Sequence, residues 1–267
     1  MTNENRSPGL GEAATQFLAK LPPKEREVFL SEHNLYVCAA EIRRIKQAIK
    51  DGRLWEHLQM RAHGHPSLLQ ALSRLKKYRD FIEKHDPAVK SSGLFFFDST
   101  DLTRPELVRY EKRFAERYTP PKAENLLLLP QTRAKPFHKS RNFAGLAKRI
   151  RQKHGQLANM HACFYAAPFG IVPIELDEVY PLSQHETSLP LDNETLSYVA
   201  SQVAQYILST SYRKVTFLDD PQNWGDIVLK AVKKACLKKK IKLQNISTDE
   251  KQKPSLLTRL EESQKDK

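Results

Sequence analysis

Apolar and polar positions follow two different rhythms along this chain. Leu35, Cys38, Ile42, Ile45 and Ile49 recur at alternating steps of three and four, which places them on one face of an amphipathic helix that Asp51-Gly52 ends. A second helix is predicted after Pro66, with Leu68, Leu72, Leu75 and Ile82 on its core side. Leu94-Phe95-Phe96-Phe97 reads as a short buried strand. Arg104-Pro105-Glu106 opens a third helix with Leu107, Tyr110 and Phe114 inward, because proline fits the first helical position.

After Thr119-Pro120-Pro121 the rhythm changes. Those prolines stop the preceding helix and stiffen a linker, so they mark the predicted domain boundary. Strands are predicted at Asn125–Leu129, Gln156–Tyr165, Lys214–Leu218 and Ile241–Leu243, and helices at Asn142–Lys153, Asn193–Leu208 and Trp224–Cys236. Alternating β and α segments predict an α/β fold, a three-layer domain around a mainly parallel sheet, preceded by an α-helical N-terminal region. The expected organisation is a flexible leader over 1–24, a mainly helical region over 25–121, the α/β domain over 122–243 and a disordered polar tail over 244–267.

Composition narrows the class of function. Lysine and arginine number 44 against 31 aspartates and glutamates, a net charge of +13. Such an excess favours a polyanionic partner, nucleic acid first, although seven lysines within 230–242 supply part of it as a plain charge run. Cys38, Cys163 and Cys236 are too far apart to suggest a disulfide framework or a Cys-based zinc site, as expected in a reducing cytoplasm. No apolar run approaches the ~20 residues that span a bilayer. The polar start, Met1 to Glu12, is not a signal peptide. His63 and His65 have no carboxylate or cysteine partner nearby in the sequence, so no metal is expected.

Candidate chemistry gathers at two strand-to-loop junctions. One is Asn125-Leu126-Leu127-Leu128-Leu129-Pro130, which runs straight into Gln131-Thr132-Arg133-Ala134-Lys135-Pro136-Phe137-His138. The other is His161–Tyr165, which runs into Ala167-Pro168-Phe169-Gly170-Ile171-Val172-Pro173 and then Glu175. In open α/β sheets, strands deliver ligand-binding loops at their carboxyl ends. Lys135 can bind phosphate or stabilise negative charge. His138 is either an acid or base near neutral pH or an exposed loop histidine. Cys163 is either a nucleophile or a buried structural thiol. Glu175, Asp177 and Glu178 offer a base or a solvated acid, with Glu175 the strongest candidate of the three. Trp224 either stacks on a base or packs on the sheet. Arg133, Lys135, Lys139, Arg141, Lys148, Arg149, Arg151 and Lys153, interleaved with Phe137 and Phe143, form the densest basic run and suit phosphate contacts. A single solvated helix face would equally explain Lys148 to Lys153.

Two motifs carry a family resemblance. Leu126-Leu127-Leu128-Leu129-Pro130 followed by Lys135-Pro136, and Pro168-Phe169-Gly170-Ile171-Val172-Pro173 with Glu175-Leu176 and Val179-Tyr180-Pro181, resemble the core domain of archaeosine synthase, a tRNA-modifying enzyme related to tRNA-guanine transglycosylases. Glu32–Tyr36, Ile42–Ile49, Gly52–Trp55, His65-Pro66 and Arg104-Pro105-Glu106 are similar to the helical end of a transglycosylase-type domain. The likeness covers about residues 25 to 243 and suggests a split or shortened form.

The resemblance implies addition of an amine donor, lysine in one route, to the nitrile of 7-cyano-7-deazaguanine in archaeal tRNA, with no cofactor in this chain. It implies as partners tRNA, a separately encoded transglycosylase-like or PUA-domain subunit, and a radical-SAM lyase; no membrane is implied. The family motif Pro-Cys, three residues, Lys-Pro-Tyr-Ser, two residues, Ser-His is matched here by Pro130, Lys135 and Pro136. Gln131 replaces the cysteine, Phe137 the tyrosine, His138 the serine, and Arg141 and Asn142 the Ser-His pair. Gln131 cannot form a thioimidate, but its amide can hydrogen-bond a nitrile or a base edge. On this basis Lys135, His138 and Glu175 are the expected catalytic residues. Pro130, Gln131, Phe137, Pro168, Gly170 and Pro173 are expected to bind substrate, and Arg133, Lys139, Arg141, Lys148 and Arg149 to bind tRNA. The alternative is a catalytically degenerate tRNA-binding or scaffolding subunit of the same pathway.

Overall fold

The computed structural model describes residues 11–141, 143, 145 and 159–247. Most of the predicted helix over 142–153, with Lys148 and Arg149, and most of the predicted tail therefore lie outside the described residues. The chain divides into two compact units, 1–60 and 61–267.

In the first unit, α1 (Glu12–Lys20) occupies part of the stretch expected to be a flexible leader. α2 (Pro23–Lys50) then runs for 28 residues, starting well before the apolar stripe that announced it. Pro23 sits in its first turn, where a missing N–H costs nothing. Gly52 at φ 68 closes the carboxyl end, with Arg53 N–H donating to the Ala48 carbonyl at 2.7 Å. The stripe is helical as predicted, yet Leu35, Ile42 and Ile49 are exposed. α3 (Leu54–Ala62) crosses into the second unit.

The second unit continues with α4 (Pro66–Arg74), a 3-10 turn at Leu75–Tyr78 and α5 (Arg79–His85). The single helix predicted after Pro66 is thus broken in two. Then come β1 (Leu94–Phe96), a 3-10 turn at Ser99–Thr103 and α6 (Pro105–Arg117). At the start of α6, Arg104 is fully buried. Its Nε donates to Glu106 at 3.0 Å and its Nη1 to the Phe95 carbonyl at 2.8 Å. Lys90 also reaches Glu106, at 2.5 Å. A buried charge persists only with such partners, so Arg104-Pro105-Glu106 anchors the helix start.

The main sheet has the order β4-β3-β2-β6-β7, built from β2 (Asn125–Pro130), β3 (Met160–Ala166), β4 (Gly170–Pro173), β6 (Lys214–Asp219) and β7 (Lys242–Ser247). β2 pairs in parallel with β3 and β6, and β6 with β7; only the β3–β4 pair is antiparallel. β1 pairs in parallel with β5 (His185–Thr187) as a separate two-stranded ribbon. Strand side chains alternate between faces. Leu126, Leu128, Cys163, Tyr165, Val215 and Phe217 face α7 (Asn193–Ser209) and α8 (Ile227–Lys239) in one core cluster. Leu127, Leu129, Phe164 and Leu218 meet Leu94, Phe96, Leu107 and Phe137 in the other. Both faces are covered, which is why β2 reads as an unbroken leucine run.

Two short strands, β4 and β5, were not predicted. β4 needs Gly170 at its start: φ is 78, and an added Cβ would lie 2.4 Å from Gln202 Cβ on α7. Among the described residues no helix is long and apolar enough to cross a membrane.

Candidate functional site

The loop after β2 is fixed at both ends by hydrogen bonds. Gln131 N–H extends the ladder to the Tyr165 carbonyl at 3.0 Å. Its side-chain Oε1 accepts from Ala167 N–H at 2.9 Å. Gln131 therefore clamps the carboxyl ends of β2 and β3 together. Thr132 Oγ1 donates to the Ala134 carbonyl at 2.8 Å and shapes the next turn. Both Lys135-Pro136 and Ala167-Pro168 are cis.

Lys135 is half-buried, with its Nζ 5.8 Å from the centroid of the Phe137 ring. Burial lowers the ammonium's pKa, and the Glu186 carboxylate on β5 opposes that in part. Phe137 itself is fully buried against Phe164, with ring centroids 5.1 Å apart. That corrects its expected role: a side chain closed off by the core supports the loop and is not a contact surface for substrate.

His138 opens out from the 3-10 turn Phe137–Lys139. Its backbone N–H donates to Asp177 Oδ2 at 2.9 Å, and its ring Nδ1 lies 2.7 Å from Asp177 Oδ1. The Asp177 side chain is wholly buried, while the imidazole keeps 28% of its surface in solvent. A carboxylate on Nδ1 fixes the ring's orientation and leaves Nε2 to exchange a proton. Glu178 lies 3.4 Å from that nitrogen and 2.7 Å from Lys139 Nζ.

The opposite wall comes from β5. His185 is 3% exposed, surrounded by Phe96, Phe137 and Phe169. Burial, then the charge of Lys135, push its pKa down to about 3, so it is neutral. Its Nε2 has no hydrogen-bond partner among the described residues. Thr187 Oγ1 donates to the Ala167 carbonyl at 3.0 Å, tying β5 to the same corner.

The structure thus brings Pro130, Gln131, Lys135 and His138 to one edge, with Arg133, Lys139 and Arg141 exposed beside them. Pro168, Gly170 and Pro173 are buried in the β3–β4 connection. They set its path, since Pro173 pairs with Cys163 and Gly170 packs on α7. As buried residues they are not placed to touch substrate, which corrects that expectation.

Glu175 does not join this edge. It sits at the amino end of β3, with Oε2 3.3 Å from His161 Nε2 and 3.5 Å from Tyr118 Oη. Burial is the largest single influence and raises its pKa, but the hydrogen bonds from His161, from its own backbone and from Tyr118 act together with His161's charge and hold the carboxyl below its ordinary value. The carboxylate that reaches the loop is Asp177, two positions on. Only the turns after antiparallel β4 decide between them, so residue type gave no signal. Cys163 also belongs to the His161 end, its Sγ 3.5 Å from Nε2, and burial pushes the thiol well above its ordinary value. A neutral buried thiol is inert. Trp224 is 1% exposed and packs edge-on against Tyr165, so it is a core residue. Among the described residues no group of three or more His, Cys, Asp or Glu side chains could hold a metal ion.

Comparison with known proteins fits this arrangement into a family. The family described as "Domain of unknown function (DUF5591)" matches residues 107–263. The tRNA-guanine(15) transglycosylase of Saccharolobus solfataricus is 36% identical over 205 residues, covering 76% of this chain and 39% of that protein. The protein of the same name from Methanocaldococcus jannaschii is 40% identical over 178 residues, covering 66% of this chain and 25% of its own. That from Pyrobaculum aerophilum is 37% identical over 171 residues, covering 63% and 33%. The chain therefore spans between a quarter and two-fifths of the length of these curated relatives.

Proposed function

The chain belongs to the DUF5591 family, and on that premise we propose that it takes part in modifying archaeal tRNA as a transferase of the archaeosine pathway. The reaction is addition of an amine, lysine as co-substrate, to the nitrile of 7-cyano-7-deazaguanine. The observation that carries the reading is His138 held by the buried carboxylate of Asp177 beside a half-buried Lys135.

The step balances without a covalent enzyme adduct. The donor nitrogen forms a bond to the nitrile carbon, one π bond of C≡N breaks, and its electron pair moves to the nitrile nitrogen. A proton leaves the donor and another reaches that nitrogen, giving an amidine. His138 Nε2 takes the first and returns it, with Asp177 stabilising the imidazolium that forms in between. Lys135 supplies positive charge to the developing imine nitrogen or to an adjacent phosphate. Arg133, Lys139 and Arg141, with Lys148 and Arg149 from the adjoining segment, hold tRNA phosphates. This reading assigns no catalytic step to Glu175, Cys163 or Gln131. Partner chains that grip the tRNA and a radical-SAM lyase that consumes the adduct complete the scheme.

A second reading, a tRNA-binding subunit without turnover, is favoured by one observation. The Gln131 side-chain oxygen is already engaged with Ala167 N–H, which leaves the position of the family cysteine a structural clamp. Mass spectrometry of nucleosides from nitrile-bearing tRNA incubated with the protein and lysine separates the two. A lysine adduct supports the first reading; tRNA binding with no adduct, and gain of adduct in Gln131→Cys, supports the second.

A further inference from the structure

α2 has two apolar faces. The first is covered within its own unit: Phe29, His33 and Ala40 are half-buried there, and Phe17 of α1 meets Phe29 with ring centroids 6.1 Å apart. Glu41, at its margin, lies 3.3 Å from His57 of α3. The second face carries Val28, Leu35, Ile42 and Ile49, each seven residues from the next. Each keeps between 52% and 71% of its surface in solvent. Three positions after each of the first three stand Ser31, Cys38 and Ile45, all exposed. Together they form an open seam along most of the 28-residue helix, about 42 Å long at 1.5 Å per residue.

The period of the seam says what fits it. A helix that lies on a globular core shows a broad stripe with a period of 3.6. A strict repeat of seven, apolar at its first and fourth places, is kept facing its partner when a second helix supercoils around the first. The fifth and seventh places, which border such a seam, are polar, charged or alanine, with Glu27, Glu32, Glu41 and Lys46 among them.

The seam also matches itself. Two copies laid parallel and in register set each seam residue against its own counterpart, so six layers are apolar and the polar one joins Ser31 to Ser31. With the same overlap run antiparallel, Ile42 would face Ser31 and Ile49 would face Lys24. β-branched residues at the first place, as at Val28, Ile42 and Ile49, favour two strands. At the rim, Glu41 of one copy faces Lys46 of the other, and the symmetry repeats the pair. Glu41 already lies 3.2 Å from Arg44, so this contact sets register more than strength. Glu27 opposite Glu32 is a like-charged rim pair that keeps the association modest.

We infer that α2 is a dimerisation helix, pairing with α2 of a second copy of this chain as a parallel two-stranded coiled coil through the seam from Val28 to Ile49. The inference is independent of the tRNA reading. It places Cys38, at the middle of the seam, against Cys38 of the second copy. The thiol is exposed in the single chain, and pairing covers it.

The test is sedimentation equilibrium of the full chain from roughly 1 µM to roughly 300 µM, a span that brackets a modest dimer, with thiol labelling over the same range. The mass should rise from one chain toward two, and labelling of Cys38 should slow about fivefold as it does. Mild oxidation of the concentrated protein should give a covalent dimer that Cys38→Ser abolishes, since Cys163 and Cys236 are buried. Ile42→Glu should weaken pairing about a hundredfold by placing a charge in the seam. Its melting transition in dilute solution should match the wild type's, because Ile42 is exposed in the single chain. Val37→Glu makes the same kind of change at an exposed position away from the seam and should leave pairing within about threefold. A one-chain mass at every concentration overturns the inference, as does a dimer that Ile42→Glu leaves intact. A dimer that Ile42→Glu abolishes but that forms no Cys38 disulfide overturns the parallel pairing. A one-chain mass with Cys38 protected at every dilution assigns the seam to another segment or another protein, and overturns it too.

Discussion

Replacing Asp177 by alanine deletes the one wholly buried carboxylate that holds the His138 turn. Two contacts go at once: the backbone N–H of His138 at 2.9 Å and the ring Nδ1 at 2.7 Å. Hydrogen bonds to charged groups contribute about 1.5–3 kcal/mol each. Water can reach part of the vacated turn, because 28% of the imidazole is already exposed. The low end of the sum therefore applies, a loss of about 3–4 kcal/mol. Asp177→Asn keeps the volume and one accepting oxygen and should lose about half as much. Urea unfolding with linear extrapolation gives both values, and amide exchange at 137–140 should speed up more than elsewhere. A double-mutant cycle with His138→Ala isolates the ring contact, expected at about 1–2 kcal/mol of coupling. A loss below about 0.5 kcal/mol for Asp177→Ala, or no coupling, would show that this pair does not organise the loop.

Other consequences are independent of that pair. His185 has a folded pKa pushed down to about 3 from 6.5, so the unfolded chain binds the extra proton between those values and stability falls as pH drops through that window. His185→Phe, isosteric within a phenylalanine cluster, should therefore gain about 1–2 kcal/mol on the wild type between pH 8 and pH 5 in parallel melts; a constant difference would refute it. Gly170→Ala should cost about 2–4 kcal/mol, because positive φ and collision with Gln202 add; a melting temperature like the wild type's would contradict the packing described. A thiol reagent should modify exposed Cys38 in the native protein, and buried Cys163 and Cys236 only after unfolding; rapid native labelling at Cys163, located by peptide mass mapping, would return it to the list of nucleophiles.

The strands were legible where both faces are buried. Leu126 to Leu129 and Val215 to Leu218 announce themselves because every position is apolar or β-branched. β4 and β5 were not, since four and three residues carry no period. The break between α4 and α5 was equally silent, because Leu68, Leu72 and Leu75 keep helical spacing across it. At the site, Lys135 and His138 could be read from a basic loop after a strand. Their supports could not: Asp177 is one of three carboxylates within four positions, and His185 lies on a strand with no sequence signal. The burial of Phe137 was hidden for the same reason, as its partners Phe164 and His185 are distant in the chain.

The central claim is that chemistry sits at the carboxyl edge of the sheet and not at the Glu175–His161 end. Single-turnover rates of adduct formation on nitrile-bearing tRNA, for the wild type, His138→Ala, Asp177→Asn and Glu175→Gln, test it most directly. The account predicts losses of about 10²–10⁴ for His138→Ala, a substantial loss for Asp177→Asn, and a rate close to the wild type for Glu175→Gln. A wild-type rate in His138→Ala with a collapse in Glu175→Gln would contradict it and move the site to the other end of the sheet.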